Sequence, residues 1–248
     1  MGDYFPIIGL VVAAYLLAGF VKGVIGMGLP AVALAVLAIF ITPAQAAALL
    51  IAPSLVTNVW QMLAGPHLLS LIRRLGTMML GVCAGAWLGA GILTGPNVKM
   101  AAFGLGLALI VFGLLGLTNL RFSVSRRTEI WLGPIIGVAT GTIMAATGIF
   151  VLPALPYLQA IGLEKDDLVQ ALGLHFTLST AALAVVLFHG GAFDASVGWT
   201  SLMVVVPALA GMVIGQWVRG RVSVAMFRRC LFIGLLLLGV QLVLRNFF

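Results

Sequence analysis

The sequence predicts an all-α, polytopic membrane bundle, and three observations carry that prediction. Of its 248 residues, 62% are hydrophobic and 8% are charged, and mean hydropathy is +1.23, more apolar surface than a soluble fold of this length hides from water. The apolar residues fall in runs from end to end, joined by short polar links. Helices are the spanning structure such runs permit, because each satisfies its own backbone hydrogen bonds within lipid.

Taken in order, the apolar runs between charge clusters and Gly/Pro breaks give ten segments: 5–26, 29–41, 43–64, 75–94, 97–119, 130–147, 149–162, 166–188, 197–218 and 223–247. The first lacks a basic leader and a small-residue cleavage site, so it is expected to be a retained helix rather than a signal peptide. Segments two and seven hold about 13 residues, which reach about 20 Å of a hydrocarbon core about 30 Å thick. Both are expected to be half-helices or re-entrant pieces. Cys83 and Cys230 lie in or beside apolar runs without metal or redox spacing, and are expected to be unpaired thiols.

Segments one to five resemble six to ten at one ungapped shift of 122 positions. Gly19 falls on Gly141, Gly26 on Gly148, Ala38-Ile39 on Ala160-Ile161, His67 on His189, Gly89 on Gly211 and Lys99 on Arg221. The chain therefore divides into a first membrane repeat, 1–125, and a second, 126–248, joined by the basic link 121–127 within one integrated domain. Arg73 and Arg74, then Arg121, Arg126 and Arg127, then Arg219, Arg221, Arg228 and Arg229 mark one side by their positive charge. Placing that side in the cytoplasm puts both termini outside and inverts the second repeat relative to the first. The net charge of +7 then reflects topology and lipid headgroups, not a nucleic-acid partner.

Inverted repeats with short, Gly/Pro-broken segments at matching places point to a transporter whose site lies between the halves. The breaks are Gly23, Gly26, Gly28 and Pro30 in the first repeat, and Thr147, Gly148 and Pro153 in the second. A half-helix beginning at each would aim N–H groups and the positive end of its dipole inward, which favours an anionic cargo. The glycines also have a packing explanation, since Gly19/Gly23, Gly85/Gly89, Gly137/Gly141 and Gly211/Gly215 follow small-xxx-small spacing.

Lys22 stands inside the first broken run, GFVKGVIGMGLP, either as a cation that attracts cargo or as a side chain that snorkels to an interface. His175, in GLHFTLST (173–180), has Ser179 on its helical face and would donate to an anion, carry a coupled proton or simply pack. In the first repeat Ser54, Asn58 and Gln61 form a stripe at i, i+4 and i+7, with Thr57 beside it. These neutral donors suit an oxyanion, and equally suit contacts between helices. Thr177 is a further candidate donor, and Trp60 is expected to pack beside the stripe. No Gly-x-Ser-x-Gly elbow, metal-ligand cluster, P-loop or dinucleotide fingerprint is present, so neither an enzyme nor a cofactor or metal is expected.

The glycine-rich 19–30 followed by an alanine-rich helix ending in Thr57-Asn58, and then 141–156 followed by Ala171-Leu-Gly-Leu-His175, resemble the TauE/SafE sulfite-exporter family (the TSUP group) along essentially the whole chain. The usual triple glycine is reduced here to Gly26-Met-Gly28 and Gly148-Ile-Phe. The resemblance implies passage of sulfite, sulfoacetate, sulfolactate or related sulfonates across the bacterial cytoplasmic membrane, as an exporter or permease. The expected site comprises Lys22, Gly26, Gly28, Asn58, Gln61, Thr147, Gly148, His175, Thr177 and Ser179, working by alternating access with protons or sodium as candidate coupling ions. An oligomer is compatible with the sequence. An anion channel with the same site, an intramembrane enzyme built on His175 and Ser179, and a scaffold without flux are the alternatives.

Overall fold

The computed structural model describes residues 4–118 and 123–247; Arg121, one of the basic ends counted above, lies outside the described residues. The helices are α1 (Tyr4–Ile25), α2 (Leu29–Leu37), α3 (Pro43–Leu49), α4 (Ile51–Leu63), α5 (Leu68–Leu88), α6 (Val98–Leu117), α7 (Arg126–Thr147), α8 (Ala154–Ala160), α9 (Lys165–His189), α10 (Ala195–Met203), α11 (Val205–Arg219) and α12 (Val224–Phe247). With α10 and α11 counted together, 7 are long and apolar enough to cross a membrane. The pair α3 and α4, bent by 47°, brings the number to 8. The chain is an all-α, multi-pass membrane protein. All five tryptophans, Trp60 included, are exposed, in keeping with the lipid interface that indole prefers.

The ten expected segments correspond in order to these helices, with three differences that have physical causes. Segments three and nine each break in two, at Leu50 and Val204. A proline follows each break by three residues, Pro53 and Pro207, and removes the N–H that would reach back four positions. At the first break the carbonyl so freed belongs to Leu49, and Ser201 of α10 donates to it at 2.9 Å while accepting the Ala52 N–H at 3.0 Å. Segment four, expected over 75–94, is the helix Leu68–Leu88 and carries Arg73 and Arg74 within it. Helix is favourable there because the Arg74 guanidinium grips Glu129 of α7 through two bonds, 2.7 and 2.9 Å, and donates to the Ile161 carbonyl at 2.8 Å.

Four helix pairs build the bundle: α1 with α11, α5 with α7, α6 with α12 and α4 with α9. Glycines set the first two, and the direction of each pair can be followed along the chain. Gly19 packs on Ala208 and Gly23 on Met212, so α1 and α11 run parallel. Gly81 packs on Pro134, Gly85 on Val138 and Gly89 on Thr142, so α5 and α7 do too. Gly106 meets Gly239 and Gly113 meets Phe232, so α6 and α12 run antiparallel. Gly173 of α9 packs on Gln61 and Met62 of α4, while Gln170 donates to the Met62 and Gly65 carbonyls at 2.8 and 2.6 Å, an antiparallel pair as well. The short helices α2 and α8 are tethered at their C-terminal ends by arginines from elsewhere: Arg245 donates to Ile39 at 2.8 Å, and Arg74 to Ile161.

At Gly19 an added methyl group would overlap the Ala208 carbonyl, whereas at Gly9 it would meet nothing within 4 Å. Gly19→Ala is expected to cost about 1–3 kcal/mol by forcing α1 from α11, and Gly9→Ala to be neutral or stabilising. Thermal unfolding of the two variants in detergent checks the difference.

Candidate functional site

Lys22 lies in the last turn of α1, and its ammonium faces inward at 6% exposure. The Nζ donates to Thr57 Oγ1 at 2.9 Å and to Asn58 Oδ1, both on α4. Thr57 accepts there because its own hydroxyl proton is directed to the Pro53 carbonyl at 2.7 Å. Among the described residues no carboxylate pairs with this lysine. A lysine ammonium only donates, so Asn58 offers it the amide oxygen and leaves both Nδ2 hydrogens pointing elsewhere. That Nδ2 and the neighbouring Ser54 Oγ are buried and have no hydrogen-bond partner among the described residues. The result is a buried cluster of N–H and O–H donors around Lys22, with no carboxylate paired to it among the described residues.

Backbone geometry next to the lysine requires glycine. Gly26 (φ 88) and Gly28 (φ 99) both adopt the left-handed conformation, and Gly28 starts α2. At the second break Gly148 (φ 78) ends α7, and a Cβ there would press on Leu34 of α2 at 3.1 Å. Thr147 closes that turn by donating to Ile143 at 2.7 Å and accepting the Ile149 N–H at 3.2 Å.

His175, fully buried on α9, lies 2.9 Å through Nε2 from the Phe150 carbonyl in the second break. A carbonyl only accepts, so Nε2 carries the hydrogen and the other ring nitrogen, Nδ1, keeps a lone pair when the ring is neutral. Nδ1 and the Ser179 hydroxyl one turn away have no partner among the described residues. The neutral ring thus keeps Nδ1 as an acceptor with no donor beside it among the described residues.

The remaining expected residues are placed differently. Gln61 donates its amide to the Val169 carbonyl at 2.9 Å, across the α4/α9 contact. Thr177 donates to Gly173 within its own helix at 2.7 Å. From the Gln61/Gly173 crossing, the antiparallel register brings Asn58 about level with Phe176 and Ser54 about level with Thr180. The lysine cluster and the His175–Ser179 turn therefore occupy a similar depth. Sequence reasoning missed Tyr15 and Thr140, whose buried hydroxyls also lack partners among the described residues. Each stands seven residues before an expected site residue, Lys22 or Thr147, a spacing that keeps it on the same helical face. Among the described residues no group of three or more His, Cys, Asp and Glu gathers as a metal site.

A family model described as sulfite exporter TauE/SafE matches residues 11–242, nearly the whole chain. No curated protein and no solved structure matches it.

The Lys22–Asn58 contact lends itself to a double-mutant cycle. Lys22→Met leaves the Asn58 oxygen without its donor, and Asn58→Leu leaves the ammonium with Thr57 alone. Asn58→Leu is expected to cost about 1–3 kcal/mol with the lysine present, and less by about 1–3 kcal/mol once Lys22→Met has removed the ammonium. Unfolding measured in one detergent checks this, and additive effects would contradict it.

Proposed function

The chain belongs to the sulfite exporter TauE/SafE family, and on that premise we propose that it is a secondary transporter that carries small organosulfur or sulfite-like anions by alternating access. Membership makes it a membrane transporter of the anion-exporter type. The narrower reading rests on one observation above the others: among the described residues, Asn58 Nδ2 and Ser54 Oγ are buried without a partner and the Lys22 ammonium beside them has no carboxylate. Leaving buried donors unpaired costs about 1–3 kcal/mol each. An oxyanion bound there would satisfy the donors and neutralise the charge together, which rewards binding of an anion specifically.

The transport cycle we propose uses two inverted halves, 1–125 and 126–248. The reading is supported by the pairing pattern, in which elements equivalent at the 122-residue shift, α6 with α12 and α4 with α9, run antiparallel to each other. Gly26, Gly28, Thr147 and Gly148 would let the two breaks reshape as access alternates. His175 and Ser179 would hold a coupling proton beside the second break, making protons the favoured coupling ion over sodium. Gln61 and Thr177 would enter the donor set only after releasing Val169 and Gly173. The bacterial cytoplasmic membrane, with both termini outside and the arginine-rich ends inside, is the proposed setting. The family and the Nε2 contact to a carbonyl, not to a carboxylate, argue against a hydrolase at Ser179.

Purified protein in liposomes is expected to exchange labelled sulfite or sulfoacetate with saturable counterflow. Lys22→Gln and Asn58→Ala should each reduce it by about tenfold or more, the scale of one lost charge-assisted bond. His175→Asn should retain exchange and lose the response to a pH gradient. Conductance in single-channel steps would replace the carrier with a channel, and unchanged exchange in both the Lys22 and Asn58 variants would remove the site.

A further inference from the structure

A cavity of about 560 Å³ opens where the end of α6, the start of α12, α8 and both breaks converge, and its size is that of a small-molecule site. Its wall includes Ile25 and Met27 at the first break, Leu152 at the second, Gln159 on α8, and Arg228 and Phe232 on α12. Arg228 is the one charged side chain among these lining residues. A guanidinium has five N–H donors; one of Arg228 reaches the Gly116 carbonyl at a long 3.3 Å, and the group lies 5.8 Å from the Phe232 ring. No carboxylate among the described residues pairs with it. Ile25 is less than one helical turn beyond Lys22 on the same helix, so the cavity reaches the neighbourhood of the lysine cluster from one side.

We propose that this cavity is a second anion subsite, in which Arg228 and Gln159 hold the anionic head of a small organic anion and the surrounding apolar wall holds its body. The proposal rests on the anion-transport reading and adds a place where cargo waits before the lysine cluster. A sulfonate or carboxylate presents two oxygens to the planar guanidinium fork, and the Gln159 amide can donate to a third position. The apolar wall gives nothing to a bare oxyanion and adds affinity for every methylene it covers. The subsite therefore selects for an organic body, whereas the lysine cluster selects for charge and donors. The same head chemistry occurs in an anionic phospholipid, and the test separates the two sources.

The probe is butanesulfonate, with sulfite as the bare comparison, binding to the full-length purified protein followed by calorimetry. The wild type is expected to bind butanesulfonate more tightly than sulfite. Arg228→Gln should weaken butanesulfonate about tenfold, the scale of one lost charge-assisted bond, and Arg228→Lys should weaken it less. Arg229→Gln, a neighbouring cation outside the cavity wall, should leave it within twofold, while Lys22→Gln should weaken sulfite more than butanesulfonate. Butanesulfonate binding that survives Arg228→Gln but fails in Lys22→Gln would overturn the subsite and leave the lysine site standing. Loss of no binding in any variant would overturn both. Competition by phosphatidylglycerol in nanodiscs, absent in phosphatidylcholine, would overturn the cargo assignment by giving the cavity to a lipid headgroup.

Discussion

The ammonium of Lys22 is held among packed helices by a hydroxyl and an amide, with no carboxylate among the described residues to pair with it. Burying a charge costs several kcal/mol even after the protein relaxes around it, and a hydroxyl and an amide oxygen offset that cost only in part. Much of the local structure is arranged by this constraint. Thr57 must direct its own proton to Pro53 to accept from the lysine, and Asn58 must turn its oxygen inward. Both tie the end of α1, just before the first break, to the middle of α4. The donor left over on Asn58 is the consequence, and in our proposal it and the Ser54 hydroxyl receive the incoming anion.

The second break is held by a different device. Here His175 reaches from α9 to the Phe150 carbonyl inside the break itself. The two breaks are thus tied by unlike side chains at non-equivalent positions: Lys22 of α1 reaches α4 beside the first, and His175 of α9 reaches the Phe150 carbonyl in the second. In the cycle we propose, attraction of the cargo and coupling fall to different residues, Lys22 and His175. The short helices beyond the breaks end on carbonyls of Ile39 and Ile161, residues 122 positions apart, and each carbonyl accepts from an arginine of a distant helix. Positive charge at a helix C-terminus is favourable, so these contacts fix the outer ends of the same two pieces whose inner ends are broken.

Much of this was legible in the sequence because it depends on local rules. Ten apolar runs followed the twelve helices in order, the short second and seventh segments became the short helices α2 and α8, and of the expected break glycines Gly26, Gly28 and Gly148 take positive φ, whereas Gly23 stays helical within α1 and packs on α11. The stripe Ser54, Asn58 and Gln61 is buried on one face, as the spacing i, i+4, i+7 requires. The splits at Leu50 and Val204 were written in Pro53 and Pro207, whose missing N–H groups are a local fact that segment lengths alone conceal. What could not be read depends on which helices meet. Nothing near Gln61 in the chain indicates Val169 as its acceptor, nothing near Arg74 indicates Glu129 and Ile161, and nothing near Ser201 indicates the open carbonyl of Leu49. Basic residues commonly mark the ends of membrane helices, and that rule fails for Arg74 because an ion pair lets the helix run through it.

The claim that joins these features is that the donors around Lys22 receive the transported oxyanion. Selenite is a heavy analogue of sulfite with the same shape and charge, and its selenium can be located by anomalous scattering in crystals of the full-length protein. An anomalous peak placing selenite oxygens within hydrogen-bonding distance of Lys22 Nζ and Asn58 Nδ2 is the predicted result. A fully occupied selenite bound elsewhere, in protein that still transports it, would contradict the account.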